Sequence, residues 1–551
     1  MTTIFQDGRF FTASGGPKQP GNPAFAECMI ITGNIITFVG PSSDPIVQQA
    51  FSSGATTKDL NGRIVVPGFV DGHMHLMLMG QSLTAADLGP CKNLDDIRAT
   101  IRAWAAAHPS TARIFCGGWM HSMTDGAALA SMLDDLDPRP IYINSKDLHS
   151  TWCNSAALAE MGIDDAFPEV PGGTIARDES GKPTGLLSEA ANINLVWPHV
   201  ARVATLEERI ERLEAAFAEY SAAGYTGIVE MAMDETAWEA LKALLQRRKD
   251  QGLPPPPSRI AAHWLISPKD TEADNVAQVE RAAELHKQFN LTTSPSCRIA
   301  GIKVICDGVI DACTAALTEP YSSNSVDCPT IWSPSALAPV VHRAASHGLQ
   351  IALHAIGDAA ITMAIDVLER TATTTPLNRP RIEHLELASA ADAARLGKLS
   401  ITASIQPGHA DPAILRAWPT LLGARRCGRA FAYAEFLEGG AALALGSDAP
   451  TAPHRVWGGW FTATTRRSAR EQATYDVSVN EHFALELATV VAAQTAGAAW
   501  SCYGEGLAGR LEAGLSADFV VLDLEWDKEK VADGKVVETW FEGRKVFDAK
   551  A

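Results

Sequence analysis

The sequence predicts an α/β chain whose middle is a run of strands alternating with helices. Three observations predict it. The 551 residues exceed one small domain, so a large core with an accessory domain is expected. Eight strand-like apolar runs are spaced along the middle, most of them separated by helix-like segments. The two ends carry instead short alternating runs broken by turns. Strands alternating with helices indicate a parallel sheet covered by helices. Eight strands fit a (β/α)8 barrel, though an open doubly wound sheet has the same count.

The elements follow in order. Runs at 3–5, 28–32 and 34–39 read as strands near the N-terminus, and runs at 518–522, 536–541 and 544–547 near the C-terminus. Neither end has enough strands for a stable sheet alone. A small β-domain assembled from 1–64 and 500–551 solves this for both. Between them, 65–499 forms the strand–helix array, with strands expected at 64–75, 224–233, 259–266, 297–308, 349–358, 381–386, 400–409 and 441–450. Helices are expected at 206–222, 236–249, 271–289, 335–347 and 358–371. The interval from about 80 to 205 is too long for a plain strand-to-helix connection and reads as an inserted lobe. Its own strand-like runs lie at 112–116 and 140–144, with a hairpin at 173–187. In a barrel, an insertion after a strand sits over the catalytic face.

Composition narrows the class. Hydrophobic residues make up 46% and charged residues 20%, an ordinary globular balance. The net charge of −18 argues against a general nucleic-acid binder or a protein of anionic membrane surfaces. No apolar run is long enough for a membrane helix and no secretory signal precedes the first strand. The ten cysteines form no CxxC pair and read as reduced thiols, which makes the cytoplasm the expected compartment.

The chemistry lies at strand ends. VPGFVDGHMH (66–75) places His73 and His75 two apart on a strand, so both imidazoles face one side. Buried side by side, they need partners, and a shared divalent metal supplies them. A chance HxH with hydrogen-bonded histidines is the plain alternative. His354, His384 and Asp448 end three later apolar strands. Alone, each reads as a loop residue; together they fall where such barrels carry catalytic groups. Lys303 lies inside the apolar strand RIAGIKVICDG (298–308). Burial favours its neutral amine, which reacts with CO2 to give an anionic carbamate able to bridge two metals. The bland alternative is a lysine that snorkels to solvent or pairs with Asp307 or Asp311.

With these residues, PGFVDGHMH, GGTIARDESGKPTG, KVICDGVIDACTAALTEPY, LHAIGD, IEHLE, SIQPGHADP, LGSDAP and the tail GRLEAGLSADFVVLD resemble the amidohydrolase superfamily. In particular, they resemble the amidohydrolase family 3 branch of YtcJ-like proteins. The resemblance runs nearly the full length. It implies a TIM-like (β/α)8 barrel with a composite N-/C-terminal β-sandwich and a binuclear metal centre. Carried over residue by residue, His73 and His75 hold one metal and His354 and His384 the other. Carbamylated Lys303 bridges them, and Asp448 adds a ligand near the first metal and moves the proton. Zinc is the expected ion, with manganese, iron, cobalt and nickel as alternatives. The implied activity is cleavage of a C–N bond, in an amide or an N-acyl or N-formyl group, by a metal-bridging hydroxide. Ester, lactone or carbamate hydrolysis is the alternative on the same machinery, and a metal-free scaffold or binding homologue the alternative from another class. The expected partner is a small-molecule substrate, with no nucleic acid and no membrane. A homodimer fits the family, although no residue pattern here supports one.

The chain departs from the family after Gly118-Trp119, where Met120-His121 replaces an acidic or amide residue, and this bears on substrate class. Trp119, His121 and His149 in the lobe and Gln406 at the end of the seventh strand are candidate substrate contacts. Structural packing is the plain alternative for His149.

Overall fold

The computed structural model describes residues 2–15, 25–146, 148, 150–170, 173–189, 191–325, 327–472 and 476–550, without the side chains of 193 and 194. The chain divides into two compact units. The first contains 1–75, 217–234 and 254–551; the second contains 76–216 and 235–253.

The first unit is built on eight parallel strands: β1 (Phe69–Met74), β2 (Tyr225–Met233), β3 (Arg259–Ile266), β4 (Cys297–Ile305), β5 (Gln350–Ala355), β6 (Arg381–His384), β7 (Thr402–Ile405) and β8 (Leu443–Leu445). Each pairs with its sequence neighbour, giving the order 8-7-6-5-4-3-2-1. The first and last strands meet without a ladder. Asp448 N–H donates to the His73 carbonyl at 2.7 Å and His75 N–H to that of Ala449 at 3.0 Å. Gln494 closes the seam lower down, donating from Nε2 to the Val70 carbonyl at 2.9 Å. The sheet is therefore a nearly closed barrel, not an open doubly wound sheet. Small side chains line its centre, among them Ala261, Ala300, Ala352 and Ala444.

Helices Glu272–Gln288, Pro334–Ser346, Asp358–Ala372 and Ala390–Lys398 follow successive strands. Three of the four start at a side-chain cap: Thr271, Ser333 and Ser389 accept from the third following N–H. Such caps satisfy one of the amides that a helix start leaves free.

The two ends of the chain share one sheet. Strand Phe519–Asp523 pairs antiparallel with Ile64–Pro67, which pairs in turn with Arg9–Phe11. A second sheet comprises Ile35–Gly40, Cys28–Thr32, Thr2–Gln6 and Thr56–Asp59. Phe5, Met29, Ile31, Val65, Phe519 and Val521 form a common core, so this sandwich is composite.

The expected strand at 64–75 is in fact two. Gly68 divides them, its N–H bonded to Asp518 O, while Phe69 N–H turns to Gly224 O. A Cβ at Gly68 would lie 2.1 Å from Thr226 Oγ1, so only glycine fits the crossing from sandwich to barrel. Strand Thr56–Asp59 escaped the sequence reading because TTKD is mostly exposed and shows no alternation.

The second unit holds a six-stranded sheet, with Ala86–Asp87, Ile114–Trp119, Ile141–Ser145 and Ser150–Cys153 followed by the hairpin Gly173–Arg177 and Pro183–Glu189. Its core packs Leu88, Ile97, Ile114, Trp119, Ile143 and Trp152. The chain thus has the (β/α)8 barrel, composite sandwich and inserted lobe that the sequence predicts. No helix among the described residues is long and apolar enough to cross a membrane.

Candidate metal centre

The site starts at the seam between β1 and the turn after β8. Asp71 and His73 alternate on β1 and share a face. The Asp71 carboxylate accepts from Ser447 N–H (2.8 Å), Ser447 Oγ–H (2.6 Å) and Tyr220 O–H (2.9 Å), fastening the two strand ends together. Gly446 lies against His73, where a Cβ would stand 2.3 Å from the His73 nitrogen. The chain then enters a left-handed conformation at Asp448, with φ of 57°. His384 does the same at the end of β6, with φ of 76°. Such conformations cost non-glycine residues of order 1–3 kcal/mol and persist where surrounding structure over-determines them.

These turns bring six side chains, on or just past the ends of five strands, into one group. His75 Nε2 is 3.1 Å and His73 Nε2 3.4 Å from Asp448 Oδ1. Lys303 Nζ is 3.4 Å from His73 Nε2. The His384 ring centroid lies 4.9 Å from that of His73 and 4.5 Å from that of His354. One donor atom each from His73, His384 and Asp448 lies within 4.8 Å of the others. His384 Nδ1 is buried and lacks a hydrogen-bond partner among the described residues. Two atoms each about 2.1 Å from a tetrahedral ion stand about 3.4 Å apart. The 3.4 Å gap between His73 Nε2 and Asp448 Oδ1, too long for a good hydrogen bond, matches that edge. The donor set therefore fits a divalent cation.

Electrostatics agree with the geometry. Burial, aided by Lys303, holds His73 down to about 4 and His354 to about 3, and burial presses His384 well below the ordinary imidazole range. Neutral imidazoles are what metal binding requires. Burial also lowers the Lys303 ammonium from its ordinary value. Lys303 is 2% exposed, so it does not snorkel to solvent.

Sequence reading missed the side chains that hold this group. Glu383 accepts from His73 Nδ1 at 2.7 Å and is gripped by Arg381, whose Nε is 2.6 Å from Glu383 Oε1. Burial opposes ionisation of Glu383, but the Arg381 guanidinium, His73 and Lys303 together more than offset it and hold the carboxyl well below its usual range. Arg381 also donates to Gly72 O at 2.6 Å and Ser404 Oγ at 2.8 Å. The signal was present in RIEH, which puts two opposite charges on one face of an apolar strand. Asp307, the bland partner considered for Lys303, instead accepts from the N–H groups of Ile356, Gly357 and Ala316. It thereby shapes the turn after His354, whose Nε2 is 3.5 Å from Asp307 Oδ1.

The candidate substrate contacts belong to different units of the chain. Gln406 is buried beyond β7, with Oε1 unpartnered. Trp119 is packed in the core of the second unit, 5.4 Å from the Trp152 ring and 4.4 Å from that of His121. His121 is exposed at the start of a short turn. His149 lies outside the described residues. Beside the main group stands His409, its Nε2 3.5 Å from Asp448 Oδ2.

Comparison with known proteins places this arrangement in context. The profile of the family described as "Amidohydrolase family" matches residues 56–547. Protein LONG AFTER FAR-RED 3 of Arabidopsis thaliana is 29% identical over 95% of this chain and 88% of its own length. The putative amidohydrolase YtcJ of Bacillus subtilis is 27% identical over 88% of each chain. N-substituted formamide deformylase of Arthrobacter pascens is 26% identical over 90% of each. The crystal structure of an uncharacterized metal-dependent hydrolase from Pyrococcus horikoshii superposes with a TM-score of 0.78 at 22% identity, covering 99% of this chain and 100% of the other.

Proposed function

Because the chain belongs to the amidohydrolase family, we propose that it is a metal-dependent hydrolase that cleaves a C–N bond, in an amide or an N-acyl or N-formyl group, of a small-molecule substrate. The observation that carries this reading is the convergence of His73, His75, Lys303, His354, His384 and Asp448, with the buried His384 Nδ1 left without a partner among the described residues. The formamide activity in the name of one relative favours the C–N bond over an ester, lactone or carbamate.

In this reading His73, His75 and Asp448 would hold one divalent cation, His354 and His384 would hold the other, and Lys303, as a carbamate, would supply an anionic ligand. Imidazole with carboxylate oxygen suits zinc, with manganese, iron, cobalt and nickel as alternatives. Bound cations supply Lewis acidity that polarises a carbonyl oxygen and brings deprotonation of water near neutral pH.

The chain's own residues do the rest. Asp448 accepts a proton on a carboxylate oxygen and returns it to the leaving nitrogen. Its place is set by its own N–H on the His73 carbonyl and by the turn that Asp71 fastens. Glu383 keeps the proton of His73 on Nδ1, so that Nε2 presents its lone pair to the site. The Lys303 amine adds to CO2 at Nζ and loses a proton, becoming anionic. Gln406 is a candidate substrate contact, and Trp119, His121 and His149 belong to the lobe proposed to select the substrate. The ten free cysteines favour a reducing compartment, the cytoplasm.

The test is elemental analysis of protein expressed with ample metal, followed by a screen of formamides, other amides, esters, lactones and carbamates. The expected result is about two ions per chain and turnover of an amide or formamide that Asp448→Asn loses. Fewer than about one ion per chain would favour the metal-free binding homologue. Turnover of esters or lactones alone would correct the bond.

A further inference from the structure

The rim of β6 and the turn after β7 hold a second set of donors beside the first. His384, Glu386 and His409 each offer an atom within 4.8 Å of the others. His409 Nδ1 stands 3.5 Å from Glu386 Oε1, long for a hydrogen bond and close to the edge between two ligands of one ion. The His384 and His409 rings are nearly parallel, 7° apart in plane, with centroids 5.8 Å apart. His384 and Glu386 are buried, and His384 Nδ1 lacks a hydrogen-bond partner. His409 is fixed on its other side, where Nε2 lies 3.3 Å from Thr451 Oγ1 and 3.5 Å from Asp448 Oδ2. Two imidazoles and one carboxylate are a donor set that zinc and its borderline neighbours take, with room left for water.

We propose that His384, Glu386 and His409 form a further cation seat, additional to the centre proposed above and resting on the reading of this protein as a metal-dependent hydrolase. Its occupant is a borderline divalent ion such as zinc or cobalt. A neutral imidazole has one lone pair on its unprotonated nitrogen. His384 therefore serves one seat at a time. An ion held by Glu386 and His409 draws His384 away from the group that contains His73 and Asp448. Metal in excess fills this seat and lowers turnover.

Equilibrium dialysis of the full chain against cobalt(II) chloride, with metal counted by elemental analysis, tests this. Wild type is expected to show a tight phase and then a weaker phase of about one ion. Glu386→Gln and His409→Asn are each expected to shift the weaker phase to about 10-fold higher cobalt or beyond while keeping the tight phase. The two variants stand on different elements, and circular dichroism confirms that each is folded. A weaker phase unchanged in either folded variant overturns the proposal. A wild type with a tight phase alone also overturns it and leaves the hydrolase reading intact. A wild type that binds no cobalt overturns both.

Discussion

Glu383 Oε2 lies 2.7 Å from His73 Nδ1, and the opposite nitrogen of that ring, Nε2, faces Lys303 and Asp448 at 3.4 Å each. A carboxylate on Nδ1 keeps the proton there and leaves the Nε2 lone pair facing Lys303 and Asp448. Arg381, buried and bonded to both oxygens of Glu383, holds that carboxylate ionised.

Weakening this support should weaken metal binding. Glu383→Gln keeps the shape but lowers the basicity passed to His73, and metal affinity is expected to fall about 10- to 100-fold. Competition with a chromophoric chelator measures it, and an unchanged dissociation constant would remove Glu383 from this role. Arg381→Ala leaves Glu383 buried without its cation and is expected to destabilise the fold by about 3–5 kcal/mol. Urea unfolding reads that loss.

Asp448→Asn should separate binding from chemistry. The amide keeps one oxygen and the local turn but cannot take the proton. Turnover is expected to fall about 10²- to 10⁴-fold while the chain keeps its metal. Near-wild-type turnover in the metal-loaded variant would refute the proton-transfer role.

Gly446→Ala tests the closure of the barrel. The added methyl would stand 2.3 Å from the His73 nitrogen and 2.7 Å from its Cβ. Backbone on that side cannot yield as the end of a flexible side chain would. His73 is expected to move, with metal content dropping and thermal stability falling. A variant with full metal content and an unchanged melting temperature would show that the seam tolerates displacement.

The metal-free chain should lose stability in acid. Burial holds His263 down to about 3, with Nε2 against Gln350 Oε1 at 2.9 Å, and holds His354 to about 3 and His73 to about 4. These rings stay neutral in the fold, whereas the unfolded chain protonates them near the ordinary value of 6.5. Between those limits the unfolded state binds more protons, so stability rises with pH. The contribution is complete above about 6.5 and is lost progressively as pH falls toward 3. Urea midpoints of chelator-treated protein at a series of pH values should fall steadily below 6.5; a flat profile from 6.5 to 4 would contradict the buried neutral histidines.

Much of the fold was legible because its signals are local. The apolar runs of β2, β3 and β5 and the intervening helices follow from periodicity and capping, and Leu206–Ala222 has the bounds expected of it. His354, His384 and Asp448 could be located at strand ends from the linear order, because parallel barrels bring those ends to one rim. Tertiary structure decided what linear order cannot express. It divided 64–75 at Gly68, where Thr226 fills the space of a Cβ. It closed β1 on the turn after β8 through Asp71 and Ser447, 376 positions apart, and through Gln494 and Val70, 424 positions apart. It set Glu383 and Arg381 beneath His73, 310 residues away. Burial, hydrogen-bond angle and the gap between two donor atoms arise only when distant segments pack. The types of residue available to the chemistry were therefore written in the chain, and their distances were set by the fold.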